Sequence, residues 1–207
     1  MDRNREAYAL LIIDMQKDFV LPGAPAQVAG AFATIPNIQQ VLQLSREQKW
    51  PIFHVVREHR ADGSDIEPFR RKDFLAKQKY AVPGTPGCDI VDELKPLPGE
   101  YRIVKQRFSA FMNTPLDFVL RRLEIHSLVI CGTQYPTCIR ASIYDAIAYG
   151  YDITLLTDAT SAQTPEVAET NIRDIRDMGV TCLSTRQFLA VETQNIASPQ
   201  NIASLHP

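Results

Sequence analysis

No apolar run in the sequence approaches the ~20 residues needed to cross a bilayer, and neither sign of charge is in surplus. Twenty-two Lys and Arg stand against 24 Asp and Glu, a formal net charge of −2. That balance gives no long-range pull toward nucleic acid or an anionic membrane. The charged opening Met1-Asp-Arg-Asn-Arg-Glu leads into no signal-type hydrophobic region, because Ala9 to Ile13 is too short. A cytoplasmic protein is therefore expected. Cysteine is also scarce: Cys88, Cys131, Cys138 and Cys182 stand alone, with no C-x-x-C pair, so no disulfide framework is expected in that compartment. Nucleotide-binding signatures are missing as well. No G-x-G-x-x-G follows the first apolar run and no G-x-x-x-x-G-K-[ST] occurs, which argues against a nucleotide-binding protein.

What is present suits one α/β domain. The 207 residues are 45% hydrophobic and 22% charged, enough for a substantial core. Short apolar runs at Tyr8 to Ile13, Pro51 to Val56, Tyr101 to Lys105, Leu128 to Cys131, Asp152 to Leu156 and Val180 to Leu183 predict six strands. Between them, Ile35, Ile38, Val41, Leu42 and Ser45 mark a helical face with Pro36 in its first turn. Leu116, Val119, Leu120 and Leu123 mark another, entered through Thr114-Pro115. Ile139, Ile143, Ala146 and Ile147 predict a third, closed by Gly150, and Pro165 to Met178 a fourth, capped by Thr164. A brief helix is expected from Cys88 to Leu94.

This alternation predicts a three-layer α/β/α architecture around a parallel, Rossmann-like six-stranded sheet. The domain is expected to span residues 1–190. Residues 191–207 contain the tandem Gln194-Asn-Ile-Ala-Ser-Pro and Gln200-Asn-Ile-Ala-Ser and are expected to form a polar tail, mobile or laid on a partner subunit. Residues 57–87 are polar and without clear period, which suggests an active-site cover or an oligomer contact.

Ligands of open parallel sheets bind beyond the carboxyl ends of the strands, and three reactive side chains fall there. Asp14 follows the first strand, Lys105 closes the third, and Cys138 follows the fourth across the tight crossing Gly132 to Thr137. Delivered to the first turn of a helix, Cys138 would meet free N–H groups and a dipole that stabilise a thiolate. Each residue also has a plain structural reading. Cys138 is equally open as a buried small hydrophobe, Asp14 as a cap or an arginine partner, Lys105 as a solvated cation. Together they supply a nucleophile, a base and a cation at one mouth.

The segments around them, Asp14-Met-Gln-Lys-Asp-Phe19, Lys105-Gln-Arg-Phe-Ser-Ala-Phe111, Gly132-Thr-Gln-Tyr-Pro-Thr-Cys138 with Asp145-Ala146, and Thr157-Asp-Ala-Thr-Ser-Ala162, resemble those of the isochorismatase-like cysteine hydrolases. The resemblance covers about residues 7–190 and looks most like a nicotinamidase-related branch. It implies an Asp14, Lys105, Cys138 triad and a non-proline cis peptide between Thr133 and Gln134. The Gln134 and Cys138 N–H groups would then form an oxyanion hole. It further implies C–N cleavage in a small amide, carbamoyl or ureido compound through a Cys138 thioester, without a cofactor, in a dimer or tetramer.

One departure bears on substrate. Nicotinamidases carry a metal site built on Asp-x-His and further histidines after the second strand. Here that position reads Arg57-Glu58-His59, and the next histidine is His126, so no metal is expected. Phe19, Phe108, Phe111 and Tyr135 are candidate pocket walls. Arg57, His59 and Arg107 are candidates to grip a carboxylate or ureido group. Arg140 is expected to make a structural pair, and Asp158 to serve a loop or cap a helix.

Overall fold

Residues 8–196 are described by the computed structural model of the chain. Within them, β1 (Tyr8–Ile13), β2 (Ile52–Arg57), β3 (Tyr101–Lys105), β4 (Ser127–Thr133), β5 (Asp152–Ser161) and β6 (Thr181–Leu183) form one sheet in the order β3-β2-β1-β4-β5-β6. Every neighbouring pair is parallel. The helices are α1 (Lys17–Val20), α2 (Ile35–Glu47), α3 (Pro68–Ala76), α4 (Leu116–Arg122), α5 (Arg140–Ala148), α6 (Pro165–Asp177) and α7 (Thr185–Ile196). Strands β1 and β4 are buried along almost all their length because both faces are covered. Leu11, Ile13 and Ile130 pack toward α4, α5 and α6. Leu10, Ile12 and Val129 pack toward α2 and Phe188 of α7. No helix among the described residues is long and apolar enough to cross a membrane.

The strand order reverses between β1 and β4, the crevice where open sheets of this kind take their ligands. Close approach there demands glycine. Gly132 has φ +114°, and a Cβ on it would sit 2.2 Å from the Ile13 carbonyl oxygen. Directly past Ile13, Asp14 itself adopts φ 53°, which turns the chain out of β1.

Four local expectations are corrected. Strand β5 does not stop at Leu156 but runs to Ser161. Past a register shift, Gly132 pairs with Thr160 and Thr133 with Ser161, so the ladder continues beneath polar side chains. The 88–94 helix is instead two 3₁₀ turns, Pro86–Cys88 and Asp92–Leu94. They are parted where Val91 N–H donates to the Met15 carbonyl at 3.0 Å. Residues 57–87 hold helix α3, opened by Pro68 and anchored by its buried Phe74. Finally, α7 crosses the expected domain limit at 190, with Phe188 buried against Tyr8 and Trp50. The expected tail role of residues 197–207 lies outside the described residues.

Candidate active site

The carboxyl ends of four adjacent strands assemble the site. Across the sheet they bring Lys105 (β3), Arg57 (β2) and Asp14 (after β1) beside the turn that carries Cys138 (after β4). Arg57 and Lys105 are direct register partners. The Asp14 N–H donates to the Val55 carbonyl at 2.8 Å, which locks the carboxylate at the mouth. Lys105 Nζ donates to Asp14 Oδ2 at 2.7 Å and to the Arg107 carbonyl at 3.2 Å. Both partners are buried, at 0% and 3% exposure. The other carboxylate oxygen, Oδ1, is buried without a hydrogen-bond partner. The lysine thus holds one carboxylate oxygen only.

Cys138 does not stand in the first turn of an α-helix, as the sequence suggested. It sits in a wider π-helical turn, Tyr135–Ile139, that leads into α5, with the Ile139 N–H donating to the Gln134 carbonyl at 3.2 Å. Such a turn inserts a residue into the helical ladder and is frequent at functional sites. The Thr133–Gln134 peptide entering it is cis.

Arg57 is a candidate to grip substrate, and its observed contact is with Cys138. Its Nη2 donates to Cys138 Sγ at 3.5 Å and its Nη1 to Glu67 Oε1 at 2.9 Å. The side chain is buried. Burial alone disfavours its charge, but the neighbouring Cys138, Asp14 and Glu67 hold the guanidinium more firmly protonated than usual. Gln16 secures its backbone: Gln16 Oε1 accepts from the Arg57 N–H at 2.7 Å and Nε2 donates to the Arg57 carbonyl at 2.8 Å. Gln16 and Glu67 escaped the sequence reasoning. Gln16 lay inside the quoted segment after Asp14, which was the available signal. Glu67 lay in a stretch with no periodicity.

A cavity of about 670 Å³ reaches the cis turn at Gln134 and is lined otherwise by Phe19, Phe69, Arg70, Phe74 and Tyr80 among others, with Asp14, Arg57, Lys105 and Cys138 outside its lining. Most of its wall comes from α3 and the residues that follow it. Of the seven candidate substrate-binding residues, Phe19 lines this cavity. Phe108 lies between two guanidinium groups, 5.3 Å from Arg57 and 4.9 Å from Arg70. The remaining candidates lie outside the cavity lining. Tyr135 is fully buried and its hydroxyl donates to the Thr157 carbonyl at 3.0 Å, toward the sheet. Phe111 packs in the core beside Tyr149 and Tyr151. His59 packs edge-on behind the wall, against Phe74 and Tyr80.

Burial and the charge of Arg57 hold the His59 imidazole down to about 4, so it is neutral near pH 7. The 3.6 Å approach of Asp65 is accordingly no salt bridge at that pH. Arg107 donates to the Asp65 carbonyl at 2.6 Å. Farther out, Arg140 pairs with Asp174 at 3.4 Å, and Asp158 accepts from the Thr185 N–H at 2.7 Å, capping α7.

The residues do not fit a metal. Among the described residues no three His, Cys, Asp or Glu side chains gather where they could hold an ion. The first position of the 57–59 segment carries a guanidinium, which donates and never ligates.

Comparison with known proteins bears on the family and the fold. The Isochorismatase domain model matches residues 8–187. A protein of Arabidopsis thaliana named as a probable inactive nicotinamidase is 43% identical over 175 residues, covering 83% of this chain and 89% of that protein. The ureidoacrylate amidohydrolase RutB of Pantoea ananatis is 32% identical over 179 residues, covering 78% and 72%. The crystal structure of an isochorismatase family protein from Desulfovibrio vulgaris superposes with a TM-score of 0.87 at 51% identity, covering 91% of this chain and all of that one.

Proposed function

Because the chain belongs to the isochorismatase family, we propose that it is a cysteine-dependent hydrolase cleaving the C–N bond of a small amide, carbamoyl or ureido compound. The observation that carries this reading is the buried convergence of a held carboxylate, Asp14 with Lys105, and a cysteine contacted by Arg57, at the point where the strand order reverses. The reaction runs in two halves. Asp14 takes the Cys138 thiol proton, and the sulfur forms a bond to the substrate carbonyl carbon. The Gln134 and Cys138 N–H groups receive the oxyanion. The C–N bond breaks as Asp14 returns its proton to nitrogen, which leaves as ammonia or an amine. Asp14 then deprotonates a water that displaces Cys138 from the thioester. Nothing in this scheme calls for a cofactor.

The relative RutB, a ureidoacrylate amidohydrolase, supports an amide or ureido substrate. Nicotinamide is a poorer choice, since the metal-binding residues that nicotinamidases place after the second strand are replaced by Arg57-Glu58-His59.

A second reading is a binding protein without turnover, favoured by the Arabidopsis relative's name as a probable inactive nicotinamidase. An ammonia-release screen across primary amides, carbamoyl acids and ureido acids, run beside Cys138→Ala, separates the two. Turnover that vanishes in the variant supports the hydrolase. Ligand-induced stabilisation without ammonia release from any compound supports the binding protein.

A further inference from the structure

We propose that Arg57 is the counter-ion of the Cys138 thiolate and that Glu67 positions it. The proposal rests on Cys138 being the nucleophile, but not on which bond it cleaves. The geometry is that of a bridge. One guanidinium nitrogen meets the sulfur at 3.5 Å and the other meets the Glu67 carboxylate at 2.9 Å. With Gln16 clamping the backbone on both sides and Phe108 against the guanidinium, Arg57 has little room to swing away.

The other charged groups nearby are already engaged. Lys105 is spent on Asp14 at 2.7 Å. Arg70, from α3, lies over the Phe108 ring and reaches toward Glu67 at 3.9 Å. His59 is neutral near pH 7, with Asp65 on its outer side. On the cysteine's own helix, Arg140 pairs outward with Asp174. Thr137 Oγ1, at 3.8 Å from the sulfur, is an uncharged and distant donor. Arg57 is therefore the cation whose hydrogen bond reaches Sγ. A guanidinium stays protonated at any working pH, so the stabilisation is always on. Glu67 keeps that charge in place while taking only one of its nitrogens.

The test is the pH dependence of iodoacetamide alkylation in the full chain, read at the Cys138 peptide by mass spectrometry. Thiolate sulfur bonds to the reagent's methylene carbon as iodide leaves, so the rate follows the thiolate fraction. The other thiols do not interfere, since they are read on separate peptides and are held protonated longer: burial pushes Cys88 up to about 11, and raises Cys131 and Cys182 as well. The native midpoint is expected to lie below that of Arg57→Gln, with Arg57→Lys between the two.

Because Arg57→Gln strands a buried carboxylate and can unfold the chain, the paired variant Arg57→Gln/Glu67→Gln removes both charges together. It should also show the raised midpoint. A native midpoint at or above that of Arg57→Gln overturns the proposal, as does an unchanged midpoint in the folded paired variant. A blank ammonia screen with the midpoint shifts intact would sink the C–N hydrolase reading and leave this one standing. Turnover with an unmoved midpoint in the paired variant does the reverse.

Discussion

Lys105 Nζ and Asp14 Oδ2 meet at 2.7 Å across 91 positions of sequence. They join the ends of β3 and β1 over the end of the strand between them, which carries Arg57. Both side chains are buried, so neither charge is stable there without the other. Deleting one partner of such a pair costs about 3–5 kcal/mol, whereas removing both is often nearly neutral. Lys105→Met should therefore lower the stability at neutral pH by that amount, and Asp14→Asn/Lys105→Met should recover most of it. Urea unfolding of the three chains measures this. Equal losses in the single and double variants would show that the charges are not coupled.

Residues that move one proton together do not lose activity additively. Cys138→Ala is expected to reduce turnover by about a thousandfold or more while changing stability by about 1 kcal/mol. Asp14→Asn added to it should be scarcely worse. Fully multiplicative losses would reduce Asp14 to a structural part.

Gly132→Ala tests the crevice itself. The new methyl would overlap the Ile13 carbonyl, with its carbon 2.2 Å from the oxygen, at a backbone conformation that L-residues resist. Separation of β1 from β4 should cost ~4 kcal/mol or more and scatter Asp14 from Cys138. A folded Gly132→Ala chain with unchanged melting would contradict the described contact.

Stability should fall on mild acidification through two histidines. His59 is held down to about 4 by burial and by Arg57, and His54 is lowered by burial against its bond to Glu100. Once the pH drops below the ordinary imidazole value of 6.5, the unfolded chain takes up protons that the native chain refuses. Stability is thus full above 6.5 and declines toward about 4, by at most about 3 kcal/mol for His59. Glu67 and Glu100, whose carboxyls are lowered despite their burial, add their loss only at more acid pH. Denaturation midpoints near pH 7 and near pH 5 should diverge less in His59→Gln than in the wild type. Parallel behaviour of the two chains would assign the acid sensitivity elsewhere.

On the proposed mechanism, in which the Cys138 sulfur attacks, hydrolysis should survive exhaustive chelation, since no three suitable ligands gather among the described residues. Elemental analysis of the purified chain is expected to find no stoichiometric transition metal. One metal per chain, with activity lost on chelation and restored by its return, would reverse the conclusion.

Much of the fold was legible in the order of the residues. Apolar runs such as Ala9 to Ile13 and Leu128 to Cys131 are typical of central strands in a sheet covered on both sides, and a parallel sheet sends its strand ends to one edge. Asp14, Lys105 and Cys138 could therefore be brought to a common mouth from spacing alone. The polar half of β5 was hidden because ladder hydrogen bonds from Gly132 and Thr133, not side chains, hold Thr160 and Ser161 in the sheet. Helix α3 was hidden because little more than Phe74 on it is buried, which leaves no period to read.

The sequence by itself determined which strands form and which reactive groups stand at their ends, since both depend on hydrophobicity along the chain. The tertiary structure alone decided where side chains of ambiguous character point. Tyr135 turns toward the Thr157 carbonyl, Phe111 into the core, and Arg57 onto the Cys138 sulfur. Those directions depend on partners ten or more residues away, Glu67 and Gln16 in the case of Arg57. A buried polar group goes where its hydrogen bonds can be met, and that place exists only once the strands have packed.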